Sequence, residues 1–296
     1  MRVVASITTI PGRYGKLIQT LKSLRAQDYP LDAIYLTIPK ESHRLKQPYP
    51  ELPVEIRQLC SVGSVDIDYG PCTKILGGLV NEAGPNTVIF TFDDDVVYAP
   101  NLVSTMLNYH KQYPNSALGS SGILLKYGFP FYSTVSNCRG NWNNLTGFDV
   151  GTEGRAVDAL CGFSAVLYVR KFFPSNELLY NTLMKYPLMD SNVYFNDDIM
   201  ISAFLSKHNI ERRVVPNIPM GNLSNALQNE LDGNEISYDK LAFIQRFRRS
   251  INKVREWGFF SETQAVAMDE TIGGHVIIVT IFLLLLLLVV LLFWLR

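Results

Sequence analysis

Apolar and polar positions alternate in a regular rhythm over the first third of the chain. Residues 3–8 (Val-Val-Ala-Ser-Ile-Thr) read as a strand and 11–26 as a turn entering an amphipathic helix. Residues 33–38 and Val54–Leu59 read as two further strands, and 71–82 as a helix. The β-branched and aromatic run Val88–Phe92 reads as a buried strand, and a helix over 101–113 starts just after Pro100. Strand and helix patterns in alternation predict an α/β fold, a doubly wound, mostly parallel sheet flanked by helices, with its binding crevice at the carboxyl ends of the strands. After Pro114 the pattern weakens. Residues 115–154 are rich in Gly, Ser, Asn and aromatics, among them Tyr127, Phe129, Phe131, Tyr132 and Trp142, and are expected to form mixed loop and strand over the crevice. Residues 159–169, with Gly162 inside, read as a further strand or strand pair, 196–206 as a helix opening on acids, and 237–257 as a helix.

The last apolar run departs from this globular pattern. Residues 276–295 are twenty positions without a charge. At about 1.5 Å per residue they cover roughly 30 Å, the hydrocarbon thickness of a bilayer, so a transmembrane helix is expected. Trp294 and Arg296 stand where interfacial anchors belong. No secretory signal is read at Met1 to Ile7, so the expectation is a single-pass, C-terminal membrane anchor with the large domain in the cytosol. The basic residues Arg246, Arg248, Arg249, Lys253 and Arg255 agree with that orientation. The sequons at Asn144 and Asn222 supply its test, since a glycan on either would make the domain lumenal.

Composition removes several classes of function. Of 296 residues, 27 are Lys or Arg and 27 Asp or Glu, so the chain as a whole offers no electrostatic basis for binding nucleic acid. Cys60, Cys72, Cys138 and Cys161 form no C-x-x-C pair and read as buried thiols, not as a zinc site or disulfide framework.

The chemistry concentrates in two acidic clusters. Asp93, Asp94 and Asp95 follow the strand Val88–Phe92, where a buried strand surfaces into a ligand crevice. Three adjacent carboxylates raise one another's pKa unless a cation offsets them, and hard divalent ions such as Mg²⁺ or Mn²⁺, shared with a substrate phosphate, suit such donors. Asp197 and Asp198 open a helix about 100 residues later. Metal and leaving diphosphate at the first cluster and a proton acceptor at the second would divide the labour of sugar transfer from a nucleotide-diphosphate donor.

Four segments in order, residues 3–13 (Val-Val-Ala-Ser-Ile-Thr-Thr-Ile-Pro-Gly-Arg), 68–74 (Asp-Tyr-Gly-Pro-Cys-Thr-Lys), 91–95 (Thr-Phe-Asp-Asp-Asp) and 196–199 (Asn-Asp-Asp-Ile), resemble GT-A-type nucleotide-sugar glycosyltransferases with a D-x-D motif. The likeness is to those of large DNA viruses infecting algae and to related microbial sugar transferases. It implies a GT-A-like catalytic domain over 1–232, with a nucleotide-binding half at 1–114 and an acceptor half at 115–232. A helical extension and linker over 233–274 and the anchor at 275–296 would follow. It implies that Asp95 is the direct metal ligand, with Asp93 as its D-x-D partner nearer the ribose or a metal-bound water, and that Asp94 touches donor sugar hydroxyls. Thr8, Thr9 and Arg13 would line the nucleotide pocket together with the Asp68 segment, and Lys74 would balance the nucleotide phosphates. Asp198 would be the general base of an inverting transfer, with Asp197 orienting a glycan or glycolipid acceptor. One departure is that no histidine lies between His208 and His275 to supply the third metal ligand found in many relatives. A Mg²⁺-dependent nucleotidyltransferase and a membrane-held carbohydrate-binding or scaffolding domain are the competing readings.

Overall fold

The computed structural model describes residues 1–125, 132–136, 153–219 and 240–260. The chain divides into two compact units, Met1–Gln264 and Ala265–Arg296. The first is built on an eight-stranded sheet, one half of which is β1 (Val3–Ile7), β2 (Ala33–Pro39), β5 (Ser61–Val65) and β6 (Val88–Phe92), all mutually parallel, with β5 at the edge. Beyond β6 lie β12 (Val166–Val169), β7 (Ser116–Gly119), β13 (Glu211–Val214) and β10 (Arg155–Val157), giving the order β10-β13-β7-β12-β6-β1-β2-β5. β12 runs against both β6 and β7, and β10 runs against β13, so six of the eight strands share one direction. A three-stranded sheet of β11 (Ala159–Leu160), β8 (Ser121–Leu125) and β9 (Tyr132–Ser136) and a small ribbon of β3 (Glu41–Ser42) and β4 (Gln47–Pro48) complete the strands.

Both faces of the sheet are covered, which is why β1 and β6 are apolar almost throughout and every residue of each is buried. Val3, Ala5, Ile7, Val88, Phe90 and Phe92 pack under α1 (Tyr14–Arg25), α2 (Val54–Leu59) and α4 (Leu102–Gln112). Val4 and Ile89, which alternate with them, face α3 (Thr73–Asn81), α7 (Asp197–Lys207) and α8 (Lys240–Glu256). Two further short helices, α5 (Asn176–Leu179) and α6 (Ser191–Tyr194), pack on this second face.

Close backbone approach fixes α3 on the sheet. A Cβ on Gly77 would lie 2.7 Å from Tyr35 Cβ, and one on Gly78 would lie 2.5 Å from Ile89 Cγ2. The Ser6 hydroxyl reaches from β1 into the helix, donating to the Lys74 carbonyl (2.5 Å) and accepting from the Gly78 N–H (2.8 Å). The first turn of α3 is thereby registered against the carboxyl ends of β1 and β6.

Several expectations are revised. Val54–Leu59 is a helix, not a strand: Ile56 is fully buried while Val54 is 70% exposed, so the alternation there does not mark two faces of a sheet. The strand paired with β2 is instead Ser61–Val65, whose Ser and Gly content hid it. Residues 159–169 resolve into β11 and β12, separated by a 3₁₀ turn at Gly162–Ser164. Among the described residues no helix is long and apolar enough to cross a membrane. The apolar run 276–295, both sequons and the aromatics at 127, 129, 131 and 142 lie outside the described residues.

Gly70 has φ +62°, and a Cβ there would stand 2.4 Å from the Tyr194 carbonyl oxygen. Left-handed backbone costs a side-chain-bearing residue about 1–3 kcal/mol before any clash. Gly70→Ala is therefore expected to lower unfolding free energy by at least about 2 kcal/mol in urea titration. An unchanged midpoint would show that the turn is not held against α6.

Candidate active site

The sheet delivers the predicted residues to one edge. β1 and β6 are in register, Ile7 opposite Phe92, so Thr8 and Thr9 leave β1 beside the point where Asp93 leaves β6. Thr9 donates its hydroxyl proton to Asp94 Oδ2 (2.5 Å), and Arg13, in the turn entering α1, reaches Asp94 Oδ1 (3.2 Å) and Asp95 Oδ2 (3.3 Å). The Asp93 N–H donates to the Tyr98 hydroxyl (2.9 Å), which folds the chain after the triplet back onto the core.

Lys74 joins the two acidic clusters. Its Nζ lies 2.6 Å from Asp93 Oδ1 and 2.8 Å from Asp197 Oδ2, and its side chain is 6% exposed. A cation in the first turn of a helix opposes the helix dipole, so the carboxylates, not α3, hold the ammonium there. Burial by itself would lower the Lys74 pKa, yet Asp197 and then Asp93 raise it well above the ordinary value. Asp197 and Asp198 occupy the first turn of α7, where negative charge is favoured.

Asp198 differs from the other acids. The Gly162 N–H donates to its Oδ1 (2.9 Å), and a Cβ on Gly162 would stand 2.7 Å from that oxygen and 3.0 Å from Lys74 Nζ. Burial first, and then the charge of Asp197, push the Asp198 carboxyl up to about 8; Asp93 adds to the rise, while Lys74 and the Gly162 N–H oppose it.

Thr8 and Asp68 have structural partners nearby. The Thr8 hydroxyl donates to the Thr37 carbonyl (2.7 Å). Asp68 accepts from the N–H groups of Gly70 (2.8 Å) and His43 (2.8 Å), pinning the β3–β4 ribbon to the turn before α3. The structure thus brings Thr9, Arg13, Asp94 and Asp95 together on one side, and Lys74, Asp93, Asp197 and Asp198 on the other. Sequence reasoning passed over Gly162, Tyr98, Ser6 and Tyr49, whose hydroxyl donates to the Thr9 carbonyl (2.9 Å). An isolated glycine inside an apolar run is a known sign of close backbone approach and marks Gly162. The other three carry no comparable sequence signal.

Among the described residues no three His, Cys, Asp or Glu side chains gather as a self-sufficient metal site. A divalent cation nevertheless fits this edge by charge and donor type. Asp93 and Asp95 offer hard carboxylate oxygens, in a group of five carboxylates of which Asp93, Asp94, Asp95 and Asp197 pair with Lys74 or Arg13 as described above. Burial first, and then the charge of Asp197, raise the Asp198 pKa, so a cation bound nearby would favour its ionised form.

No protein-family model matches the chain, and no curated protein does. Among solved structures it is similar to S. aureus TarS, with TM-score 0.46 and 13% identity over 89% of this chain and 44% of that one. It is also similar to the 1-349 fragment of TarS (0.47, 12%, covering 91% and 75%) and to that fragment in complex with UDP (0.44, 13%, covering 92% and 77%). The chain spans less than half the length of the longer TarS structure.

An unfolded carboxyl titrates near 4, so folded Asp198 retains its proton from about pH 4 to about pH 8, and folding stability falls as pH rises across that window. Asp198→Asn removes this dependence. Its melting temperature relative to the parent is expected to rise between about pH 5 and about pH 8. A difference independent of pH would show that the carboxyl ionises normally.

Proposed function

We propose that the chain is a glycosyltransferase that moves a sugar from a nucleotide-diphosphate donor to a hydroxyl acceptor with inversion. The observation that carries the reading is the convergence of Asp93–Asp95, at the carboxyl end of a central parallel strand, with Asp197 and Asp198 through the single ammonium of Lys74. Ligands of open α/β sheets sit at that end of the strands. A site with a cation-seeking cluster on one side and an acid of shifted pKa on the other matches the two demands of the reaction, neutralising a leaving diphosphate and removing a hydroxyl proton.

In this reading Asp95 and Asp93 hold Mg²⁺ or Mn²⁺, which when bound neutralises the diphosphate. Thr9 and Arg13 keep Asp94 and Asp95 oriented toward the nucleotide. Ionised Asp198, the form populated above about pH 8 in the unliganded site and favoured by a nearby cation, accepts the proton of the acceptor hydroxyl as that oxygen bonds to the anomeric carbon, while the bond from that carbon to the diphosphate breaks and its electron pair leaves with the diphosphate. Asp197, held by Lys74, stays beside Asp198 and keeps it a strong enough base for the task. The apolar run 276–295 would anchor the enzyme to a membrane, with the catalytic domain on the cytosolic side where nucleotide sugars are made, close to membrane-borne acceptors.

Full-length protein in neutral detergent, incubated with a panel of nucleotide sugars and Mn²⁺, is expected to release free nucleoside diphosphate from at least one of them. Asp198→Asn is expected to bind that donor yet lower transfer by about 10²-fold or more. Absence of release with every donor, together with no nucleotide binding by calorimetry, would contradict the reading.

A further inference from the structure

Two arginines from distant parts of the chain converge on one ring three residues before Asp198. Arg44 Cζ lies 5.8 Å from the centroid of Phe195, and Arg246 Cζ lies 5.0 Å from the same centroid. Phe195 precedes Asp198 by three residues, so the two Cα atoms are at most about 11 Å apart. The placement is built, not incidental. Arg44 belongs to the turn of the β3–β4 ribbon, which Asp68 fixes through the His43 N–H. Arg246 lies one turn before Ser250, which is fully buried and accepts a hydrogen bond from Asn196 Nδ2 (2.7 Å), so α8 is tied to the residue that precedes the catalytic acids. Asp190 caps α6 through the N–H groups of Asn192 and Val193 and sets the position of Tyr194 and Phe195.

Both guanidinium groups are exposed, and among the described residues neither has a carboxylate partner, whereas Arg2, Arg13, Lys74 and Arg213 do. A guanidinium lying over an aromatic face keeps its N–H edge available for a bidentate oxyanion. Cations outnumber acids in the two flanking segments. The ribbon turn reads His43, Arg44, Leu45, Lys46, and α8 carries Arg246, Arg248, Arg249, Lys253 and Arg255 before its first acid, Glu256. The crevice beside them holds five aspartates, which repel any anionic acceptor unless its charge is bound outside them. A neutral acceptor would need no such pair of cations.

We propose that Arg44 and Arg246, held over Phe195, form an anion-binding clamp, and that the acceptor carries a phosphate or carboxylate close to the hydroxyl that receives the sugar. Calling the bound molecule an acceptor rests on the glycosyltransferase reading; the clamp itself does not. A phosphate has two sources, a soluble phosphorylated glycan or a phospholipid headgroup, and both present the same oxyanion.

The test is ligand-observed NMR on full-length protein in neutral detergent, with methyl glucoside, glucuronate, glucose 6-phosphate, glycerol 1-phosphate and short-chain phosphatidylglycerol as probes. The anionic probes are expected to bind more tightly than methyl glucoside, and Arg44→Gln with Arg246→Gln to weaken them at least about tenfold. Tighter binding of phosphatidylglycerol than of glycerol 1-phosphate would support the clamp with a lipid headgroup as the source, and the reverse would support it with a soluble phosphate. Equal binding of neutral and charged sugars, or charged-probe binding untouched by the double substitution, would overturn the clamp. If the double variant fails to fold, Arg44→Gln, on the exposed ribbon turn, gives the same readout alone. Binding of a panel of nucleoside diphosphates to the unsubstituted protein separates the two claims. A nucleoside diphosphate bound without anion discrimination removes the clamp and leaves the glycosyltransferase reading, whereas anion discrimination with no nucleoside diphosphate bound does the opposite.

Discussion

The candidate site depends on one buried ammonium. Lys74 is 6% exposed and stands between Asp93 and Asp197, which belong to different elements and different stretches of sequence. An unpaired charge in that position costs several kcal/mol, so the lysine and both carboxylates are tolerable only together. The elements that carry them are correspondingly constrained. Gly77 and Gly78 let α3 approach the sheet, Ser6 locks the Lys74 carbonyl to β1, and Gly162 leaves room for the ammonium and for Asp198. The tight packing of α3 and the chemistry of the crevice are therefore a single requirement.

That arrangement divides five similar side chains into two kinds. Asp94 and Asp95 are engaged by Arg13, and Asp93 by Lys74. Asp198 shares the same crevice but receives a backbone N–H where the others receive a cation, and it lies beside the charge of Asp197. Pairs of titratable groups whose surroundings drive their pKa values apart are how one fold separates charge neutralisation from proton transfer. The proposed clamp of Arg44 and Arg246 over Phe195 would add a third function, holding the charge of the substrate apart from the acids.

Much of this was legible in the sequence where burial leaves a strong pattern. β1 and β6 are covered on both faces, so their apolar runs, and the acids that end β6, could be placed directly. The amphipathic helices α1, α3 and α4 were readable for the same reason. Ser61–Val65 was not, because an exposed edge strand containing Ser and Gly carries no burial signal. Val54–Leu59 imitates a strand because Val54 and Ile56 stand at alternate positions, while Ile56 alone of the segment is buried. Within the site, residue types predicted carboxylate chemistry, but Lys74 was read as a partner for phosphate. Its carboxylate neighbours, Asp93 and Asp197, are set by the approach of α3 to the end of β6 and to α7, which no local pattern encodes. The Arg44–Phe195–Arg246 contact is likewise invisible along the chain, since it joins residues 44 and 246 across the fold.

A double-mutant cycle on folding free energy, pairing Lys74→Met with Asp197→Asn, measures the central interaction directly. A buried bridge predicts that the two losses fail to add by at least about 1 kcal/mol, because once the ammonium is gone the lone carboxylate is a liability that Asn relieves. Additivity within about 0.3–0.5 kcal/mol would show that Lys74 and Asp197 act independently, and the two acidic clusters would then not be one site.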